Sequence, residues 1–497
     1  MKVCIVVDGI SSGKFYPALF KQKGYPCVHI YSSSVSVKTG LTVDEKPYID
    51  SFSHDGNISN TLEKLKKYEV VCVVAGSEPG VLFADLLSAS LKMPTSNGIK
   101  KSSARRNKYD MDEALKAHDL KTPLYFKSKN VDEIIQWVHS NTTWPVVVKA
   151  LESAGTDGVF ICANENEIKN GFSNIFNKNN CLGSLNEYVL VQSFLKGDEY
   201  VINSVSYAGK HYVTDIWKYR KKTISGQGTI YDRDELISFE GEIQTKLVSY
   251  THHVLDALEI QYGPSHAEVI ITPEGEPVLV EVGARLSGGT DMAVSNECIG
   301  NNAVQLSVDC YTDQKSFQQA ISQPFTLKKY ALIIELSNEQ EGILTDIPFA
   351  DEIKKISSVR AVTIKAKKDT YLKKTTDLFS SLASIQLVHE SKEQLENDYL
   401  AIQKMKSTGF IVKPLEEKKR NQESSSLLLA QQGLFSSKDI SCSKNNNTNH
   451  NELTHQKIEN YSILFQLLAL TTVAAGLLIY WLYQAEEDLN PLPHFRP

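Results

Sequence analysis

The chain has 497 residues, more than one hydrophobic core usually organises, so several domains are expected. Its 41% hydrophobic and 23% charged residues are typical of a globular protein, and its net charge of -6 provides no basic surface for nucleic acid. The 8 cysteines are widely spaced and form no CxxC pair, which argues against a structural zinc site and favours free thiols in a reducing compartment.

The first part of the chain alternates strand-like and helical stretches. Val3–Val7 and Val70–Ala75 are short apolar runs typical of buried strands. Helices are predicted near Pro17–Lys23 and Gly80–Leu91. This alternation predicts an α/β domain with a parallel sheet. The apolar run at the N-terminus is too short for a signal peptide, so the fold is expected to start directly.

A longer α+β region is predicted from about residue 100 to residue 329. Its predicted strands are Pro145–Ala150, Tyr188–Phe194, Glu199–Tyr207, Pro264–Ile271 and Pro277–Val282. A smaller α/β segment follows, with strands at Tyr330–Leu336 and Val359–Ala366 and a helix near Ser391–Ser407. The motifs that suggest chemistry lie mainly in the longer region.

The C-terminal part changes in composition twice. Residues 416–460 are rich in Ser, Asn, Gln and Lys, which predicts a disordered linker. Within the charge-free stretch 461–483, the apolar run from Ile463 to Tyr483 would form a helix of roughly 31 Å, matching a hydrocarbon core of about 30 Å. The pattern predicts one transmembrane helix in contact with membrane lipid, a short tail at 484–497, and the preceding domains in the cytoplasm.

The first motif with a chemical meaning is a strand that delivers a lysine into a loop of small residues. Lys149 ends this strand, and the loop after it contains Ser153, Gly155, Thr156 and Gly158. A lysine at a strand end provides a fixed cation, and small residues let backbone N–H groups approach phosphate oxygens. The motif predicts a phosphate site, whereas the alternative is a surface hairpin with turn glycines.

The second motif is a strand, a short turn, an acid and a second strand. Gln192 and Leu195 precede the turn glycine, and Glu199 follows it. This arrangement resembles the adenine hinge of ATP-grasp ligases. The resemblance implies that the linker backbone pairs with adenine and that Glu199 accepts hydrogen bonds from the ribose hydroxyls. An acid usually stands where this chain has Gln192, but an amide oxygen can also accept a bond from the adenine amino group.

The third motif is a hairpin that carries one acid on each strand. Glu268 and Glu281 flank the turn Pro-Glu-Gly-Glu-Pro, so both carboxylates can face one cavity. Such a pair suits Mg²⁺ shared with nucleotide phosphates. Arg285 follows, and its guanidinium has the geometry to clamp a carboxylate or an acyl phosphate. The alternative is an exposed acidic hairpin without a ligand.

Taken in order, Lys108 and the three motifs are similar to the ATP-grasp superfamily over about residues 1–414. The stretches 153–159 and 281–289 resemble most the L-amino-acid ligases and related carboxylate–amine ligases. The resemblance implies an α/β and α+β protein with a Rossmann-like pre-ATP-grasp domain at 1–98, an ATP-grasp domain at 99–329 whose two α+β subdomains sandwich ATP, and a small C-terminal α/β domain at 330–415.

The resemblance also implies a role for each matching residue. ATP would contact Lys108, Lys149, Ser153, Gly155, Thr156, Gly158, Gln192, Leu195 and Glu199. Glu268 and Glu281 would hold Mg²⁺, or alternatively Mn²⁺. Arg285, with Gly288 and Gly289, would bind the substrate carboxylate or its phosphorylated form.

Besides Gln192, two positions depart from the superfamily pattern. Its usual Asn metal ligand, two residues after the second acid, is Gly283 here, and an Arg two residues before the first acid is His266. Phosphate oxygens and water can replace the missing ligand. His266 carries charge only when protonated, and with Lys149 and Arg285 it completes the predicted catalytic set.

The expected reaction is the ATP-dependent ligation of a carboxylate to an amine through an acyl phosphate, with small molecules, amino acids foremost, as substrates. One alternative is a bicarbonate-using ATP-grasp carboxylase, which employs the same nucleotide machinery. Another is an ATP-binding, membrane-tethered pseudoenzyme, which the departures at Gln192 and Gly283 would favour. The loops Ser11–Lys14 and Gly76–Gly80 end parallel strands and are expected to line the substrate side.

Overall fold

A computed structural model describes residues 1–32, 42–224, 228–289 and 291–414. The predicted linker 416–460, membrane helix 461–483 and tail 484–497 lie outside these ranges. Within them, no helix is long and apolar enough to cross a membrane. The predicted location, a membrane protein with one C-terminal span in contact with lipid, is therefore wrong: the part of the chain that the structure describes provides no such span.

The first sheet is parallel and has four strands. Its elements are β1 (Lys2–Val7), α1 (Tyr16–Gln22), β2 (Cys27–Tyr31), β3 (Asp50–Ser53), α2 (Ile58–Leu65), β4 (Glu69–Ala75) and α3 (Val81–Ser90). The strand order is β3-β2-β1-β4. The inner strand β1 is an almost continuous apolar run because both faces of the sheet are covered. The α/β organisation predicted for this region is confirmed.

A second sheet, antiparallel and four-stranded, follows a helix that begins with Lys108. These elements are α4 (Lys108–Lys116), β5 (Tyr125–Ser128), α5 (Val131–Asn141), β6 (Val146–Lys149), β7 (Val159–Cys162), α6 (Glu165–Ile175) and β8 (Val189–Ser193). The strand order is β5-β8-β6-β7. Asn107, Asn130 and Asn164 accept hydrogen bonds from the first turns of α4, α5 and α6, which fixes where each helix starts.

The third sheet is the largest, and three strands from beyond residue 329 extend it. The strands that follow β8 along the described chain, in this sheet and in a smaller one, are β9 (Asp198–Tyr207), β10 (Lys210–Ile224), β11 (Gly228–Ile237), β12 (Gly263–Ile271), β13 (Pro277–Gly283), β14 (Tyr330–Leu336), β15 (Gly342–Asp346), β16 (Val359–Ile364), β17 (Tyr371–Leu372), β18 (Ala383–His389) and β19 (Ile411–Lys413). Eight of them pair in the order β13-β12-β9-β10-β11-β14-β18-β16, and the others form a sheet β17-β15-β19. The domain boundary predicted at residue 330 remains a prediction, and β11 pairs with β14 across it.

Helices cover this large sheet and fill its core. They are α7 (Glu242–Ala257), α8 (Met292–Cys298), α9 (Ala303–Thr312), α10 (Gln314–Ala320), α11 (Phe349–Glu352) and α12 (Lys392–Gly409). Helix α7 packs Leu247, Val254 and Leu255 into the main apolar cluster, and α12 buries Leu395 and Ile402 in a second one. Because apolar side chains hold the helices on the sheet, polar side chains elsewhere on the strands are held in fixed positions.

Candidate active site

Lys108 lies where α4, the small-residue loop and the hairpin β12–β13 meet. Its Nζ atom is 2.7 Å from Oε2 of Glu281 and donates a hydrogen bond of 3.2 Å to the carbonyl oxygen of Ser153. Asn107 caps α4 by accepting hydrogen bonds from the first helical turn. The cap fixes the backbone of Lys108, so its ammonium is directed at the hairpin rather than into solvent.

Lys149 is the last residue of β6 and is 4% exposed. Burial and repulsion from Lys108 lower the pKa of Lys149 to about 8, against the opposing attraction of Asp112 and Glu281. Two buried cations therefore face one space, which an anion such as a polyphosphate would neutralise. A small cleft beside them is lined by Glu78, Arg106, Lys108, Met111, Ser153, Glu281, Val282 and Gly283.

This low pKa predicts a pH-dependent affinity for nucleotide. In metal-free buffer, the affinity for ATP should fall as the pH rises above about 8, approaching tenfold per pH unit, because Lys149 then loses its charge. Calorimetric titration of ATP between pH 7 and about pH 9.5 would measure the change. Adenosine, which lacks the triphosphate, should show no such loss; an equal loss for adenosine would contradict the role of Lys149.

The loop after β6 owes its shape to backbone angles that most residues avoid. Gly155, Thr156 and Gly158 have φ of 65°, 64° and 67°. Ser153 Oγ donates to Asp157 Oδ2 at 2.7 Å, and the Cys181 backbone N–H donates to the same oxygen at 2.8 Å. The glycines thus permit the turn and the polar bonds hold it, leaving a loop of small residues directly beside Lys108.

Glu268 and Glu281 are directly opposite each other in the antiparallel pair β12–β13. Directly opposed residues project from the same face, so both carboxylates reach the side occupied by Lys108. Burial alone would raise the pKa of Glu268, but the adjacent His266 and the charge of Lys221 outweigh it and lower the pKa. Glu268 is therefore favoured in its ionised form, which is the form that could bind a cation.

The two carboxylates fit a hard divalent cation in chemical type but do not enclose one. In the described ranges, no group of three or more His, Cys, Asp or Glu side chains is arranged to hold a metal. Mg²⁺ commonly takes one or two carboxylates together with substrate phosphates and water. Glu268 and Glu281 fit that mode of binding, in which the nucleotide completes the site.

A chain of polar side chains fixes His266. His266 Nδ1 is 2.8 Å from Oδ1 of Asn203, whose amide nitrogen donates to buried Asp215. The amide oxygen of Asn203 can only accept, so Nδ1 of His266 carries a hydrogen. Nε2 then faces Glu268, with 3.5 Å between Nε2 and Oε1. His266 thus orients the metal-ligand candidate rather than facing the cleft as an independent base.

Arg285 forms an ion pair with Glu78, an acid in the segment that follows β4. Its Nε atom is 2.6 Å from Oε2 of Glu78, and Nη1 of Arg106 is 3.3 Å from Oε1 of the same carboxylate. Burial would raise the pKa of Glu78, but the positive charges of Arg285 and Arg106 lower it below the usual value. One ionised carboxylate therefore holds two guanidinium groups at the edge of the cleft.

Gly283 lies beside this cluster. A Cβ atom added there would be 2.7 Å from Oε2 of Glu78 and 3.0 Å from Cζ of Arg285. An asparagine in this place would collide with the ion pair. The departure from the superfamily pattern at Gly283 therefore has a steric reason: the Glu78–Arg285 ion pair occupies the space that a side chain would need.

The loop after β13 docks on the first sheet. Ser11 Oγ donates to the carbonyl oxygen of Gly288 at 2.9 Å, and Ser12 Oγ donates to that of Ser287 at 2.5 Å. The space beside Gly289 is open. These contacts place Ser11 and Ser12 next to the loop predicted to bind substrate, as expected for residues at the end of a parallel strand.

The predicted adenine hinge joins β8 to β9. Gln192 is buried, and its Nε2 atom donates to Oδ2 of Asp112 at 2.5 Å. Leu195 is half-buried in the turn. Glu199 is 2.6 Å from Nζ of Lys221, and burial raises the pKa of Glu199 to about 7. Glu199 is thus near the carboxylate pair, because it lies two residues from Val201, which is opposite Glu268.

Several residues of this site were not predicted from the sequence. They are Arg106, Asp112, Asn203 and Lys221, together with the pairing of Glu78 to Arg285. Asp112 could have been predicted as a site residue from the sequence, because it follows Lys108 by one helical turn and lies on the same face of the helix. Arg106 and Lys221 carried none, because their partners are distant in sequence and only the tertiary fold brings them together.

Two buried lysines, one at the start of α4 and one at the end of β6, therefore lie near the paired carboxylates of the hairpin β12–β13. The family model described as an ATP-grasp domain matches residues 142–294. Dapdiamide A synthase from Enterobacter agglomerans is 30% identical over 424 residues, covering 84% of this chain and 98% of that protein. The L-arginine-specific L-amino acid ligase of Bacillus subtilis is 21% identical over 231 residues, covering 46% of this chain and 54% of that protein.

A solved structure extends the likeness over the whole described fold. The L-amino acid ligase from Bacillus licheniformis superposes with a TM-score of 0.65 at 17% identity, covering 84% of this chain and 99% of that one. The chain belongs to the ATP-grasp superfamily, in the family that contains dapdiamide A synthase. It is an ATP-dependent ligase that forms carbon–nitrogen bonds. The predicted mixed α/β ATP-grasp fold is confirmed, without the predicted membrane helix.

Proposed function

We propose that this ligase converts a carboxylate into an acyl phosphate with ATP and then joins it to an amine, with amino acids as substrates. The observation that carries the proposal is the meeting of Lys108 with Glu281 and Ser153 in one cleft, next to Arg285. Cations that could bind phosphate, carboxylates that could bind a metal and a guanidinium that could bind a carboxylate lie close together, which supports the proposal. Each is a part that this chemistry requires.

On the nucleotide side, the hinge at Gln192 and Leu195 would hold adenine and Glu199 would hold the ribose. The loop with Ser153, Gly155, Thr156 and Gly158 would cover the phosphates, and Lys108 and Lys149 would neutralise them. Glu268 and Glu281 would bind Mg²⁺, which stabilises charge on the transferring phosphoryl group; Mn²⁺ offers the same chemistry. These residues act by position and charge, so no protein nucleophile is needed.

On the substrate side, Arg285 would hold the carboxylate in line with the terminal phosphate. A carboxylate oxygen attacks that phosphorus, the bond to ADP breaks, and an acyl phosphate forms. The amine then attacks the acyl carbon, its proton leaves, and phosphate departs. Glu78 keeps the Arg285 fork oriented during both steps, and the loop containing Gly288 and Gly289 would close the substrate side.

The proposed substrate class rests on the relatives. One is named for the synthesis of dapdiamide A, and another is named as an L-amino acid ligase specific for L-arginine. The guanidinium of Arg285 could bind the carboxylate that every amino acid carries. We therefore infer amino acids or amino-acid-like acids and amines as the two substrates.

The test is a panel of single amino acids and amino acid pairs, including arginine, incubated with the full chain, ATP and Mg²⁺. ADP and phosphate should appear only with a suitable acid and amine, in equal amounts to an amide detected by mass spectrometry. Lys149→Ala should give no ADP. Bicarbonate-dependent ADP formation without an amide would support a carboxylase instead, and ATP binding without any turnover would support a pseudoenzyme. Chelation of the metal should stop turnover, and Mg²⁺ or Mn²⁺ should restore it.

A further inference from the structure

Asp112 faces Gln192 at the point where the second sheet meets α4. Asp112 is 4% exposed and Gln192 is 5% exposed, and the amide Nε2 donates to Oδ2 of Asp112 at 2.5 Å. Burial raises the pKa of Asp112 to about 7, whereas Lys149 and the bond from Gln192 favour its charged form. Asp112 and Gln192 are thus joined by a hydrogen bond between two buried side chains.

The contact determines which end of the amide is available. A side-chain amide has one donating end and one accepting end, and in this contact Oδ2 of Asp112 is the acceptor. Because Asp112 takes the nitrogen, the oxygen of Gln192 is turned away from it. Without such a partner the two orientations of an amide are nearly equivalent in shape.

The two purine bases differ at the position that this amide would meet. Adenine presents an amino donor there, whereas guanine presents a carbonyl acceptor. An amide oxygen accepts from the adenine group and repels the guanine group. If the nitrogen were turned the same way, it would donate to guanine instead.

We propose that Asp112 is a positioning residue that fixes the amide of Gln192 and so makes this ligase select adenine over guanine nucleotides. The inference rests on the proposed function, in which Gln192 lies at the adenine hinge. Asp112 does not touch the base, and it acts through the orientation of Gln192.

The direct test replaces Asp112 with asparagine, which offers either a donor or an acceptor to Gln192. Dissociation constants for ATP and GTP should be measured for the wild type and for Asp112→Asn. The two nucleotides share ribose and triphosphate, so their ratio isolates the base even though Asp112 also interacts with Lys149. The preference for ATP should fall by about tenfold, and an unchanged ratio would overturn the inference.

A double substitution supplies a rescue that a merely structural role would not produce. Gln192→Glu alone places two carboxyl groups against each other and should weaken ATP binding. In the double variant, the amide nitrogen introduced by Asp112→Asn can donate to the new carboxylate, which then only accepts from the base. The double variant should regain the wild-type preference to within about threefold, and failure to exceed Asp112→Asn would contradict the mechanism.

Controls separate this inference from the proposed function. Glu113→Gln changes the adjacent, exposed acid of α4 and should leave the ATP-to-GTP ratio unchanged. If Asp112→Asn does not fold, Gln192→Met removes the amide itself and should show the same loss of preference. A wild-type chain that binds neither nucleotide would refute the proposed function; one that binds ATP while the variants keep its preference would refute only the role of Asp112.

Discussion

Replacing Glu281 with glutamine is expected to lower ADP formation by about a thousandfold, because the change removes a charged ligand at the transferring phosphoryl group. Glu281 is opposite Glu268 in the hairpin and pairs with Lys108 at 2.7 Å. Glutamine keeps the shape of the side chain, so the fold should persist. The rate with saturating ATP, Mg²⁺ and substrates is the measurement.

Glu281→Gln should not weaken the binding of metal-free ATP, although it lowers the rate of ADP formation. Removing the negative charge of Glu281 leaves Lys108 free to meet the triphosphate, so the affinity should stay the same or rise. Glu276→Gln is the matched control, because this acid lies in the turn of the same hairpin, away from the paired carboxylates, and should keep full activity. Near-normal ADP formation by Glu281→Gln would remove Glu281 from the reaction centre.

The sequence predicted the local elements of this fold because each carried its own pattern. The apolar run of β1 and the Pro-Glu-Gly-Glu-Pro turn between β12 and β13 need no distant contact to be recognised. The opposed positions of Glu268 and Glu281 follow from that hairpin, and the structure has them directly opposite. A motif that is contiguous in sequence was therefore sufficient to predict that these two carboxylates lie side by side.

Strands β10 and β11 were not predicted, and their sequence explains why. The stretch from Lys218 to Lys222 is entirely polar and aromatic, which resembles an exposed segment. In the structure two of these lysines instead pair with acids on neighbouring strands: Lys221 with Glu199 on β9, and Lys222 with Asp232 on β11. A charged strand that is neutralised from neighbouring strands carries no apolar alternation to detect.

The apolar stretch 461–483 shows a different limit. Hydropathy and length alone predicted a membrane helix, yet a stretch of this kind does not establish a location by itself. In the residues that the structure describes, no helix is long and apolar enough to span a membrane.

Gly283→Asn restores the residue that the wider superfamily carries as a metal ligand, yet it is expected to reduce ligation by about a hundredfold. The reason is that the Glu78–Arg285 ion pair lies directly beside Gly283. A Cβ at Gly283 would be 2.7 Å from Oε2 of Glu78 and 3.0 Å from Cζ of Arg285, both held in a largely buried ion pair. The new side chain must displace that pair, which turns the Arg285 fork away from the substrate carboxylate.

Gly283→Asn should therefore impair the binding and reaction of the carboxylate substrate and leave the binding of the nucleotide unchanged. We expect an unchanged dissociation constant for metal-free ATP, a raised KM for the acid and a lower kcat. Gly275→Asn, in the turn of the same hairpin at φ 79°, is the matched control, because asparagine tolerates that backbone region and should leave the kinetics unchanged. Higher activity in Gly283→Asn would mean that the missing ligand, rather than the Glu78–Arg285 clamp, limits this enzyme.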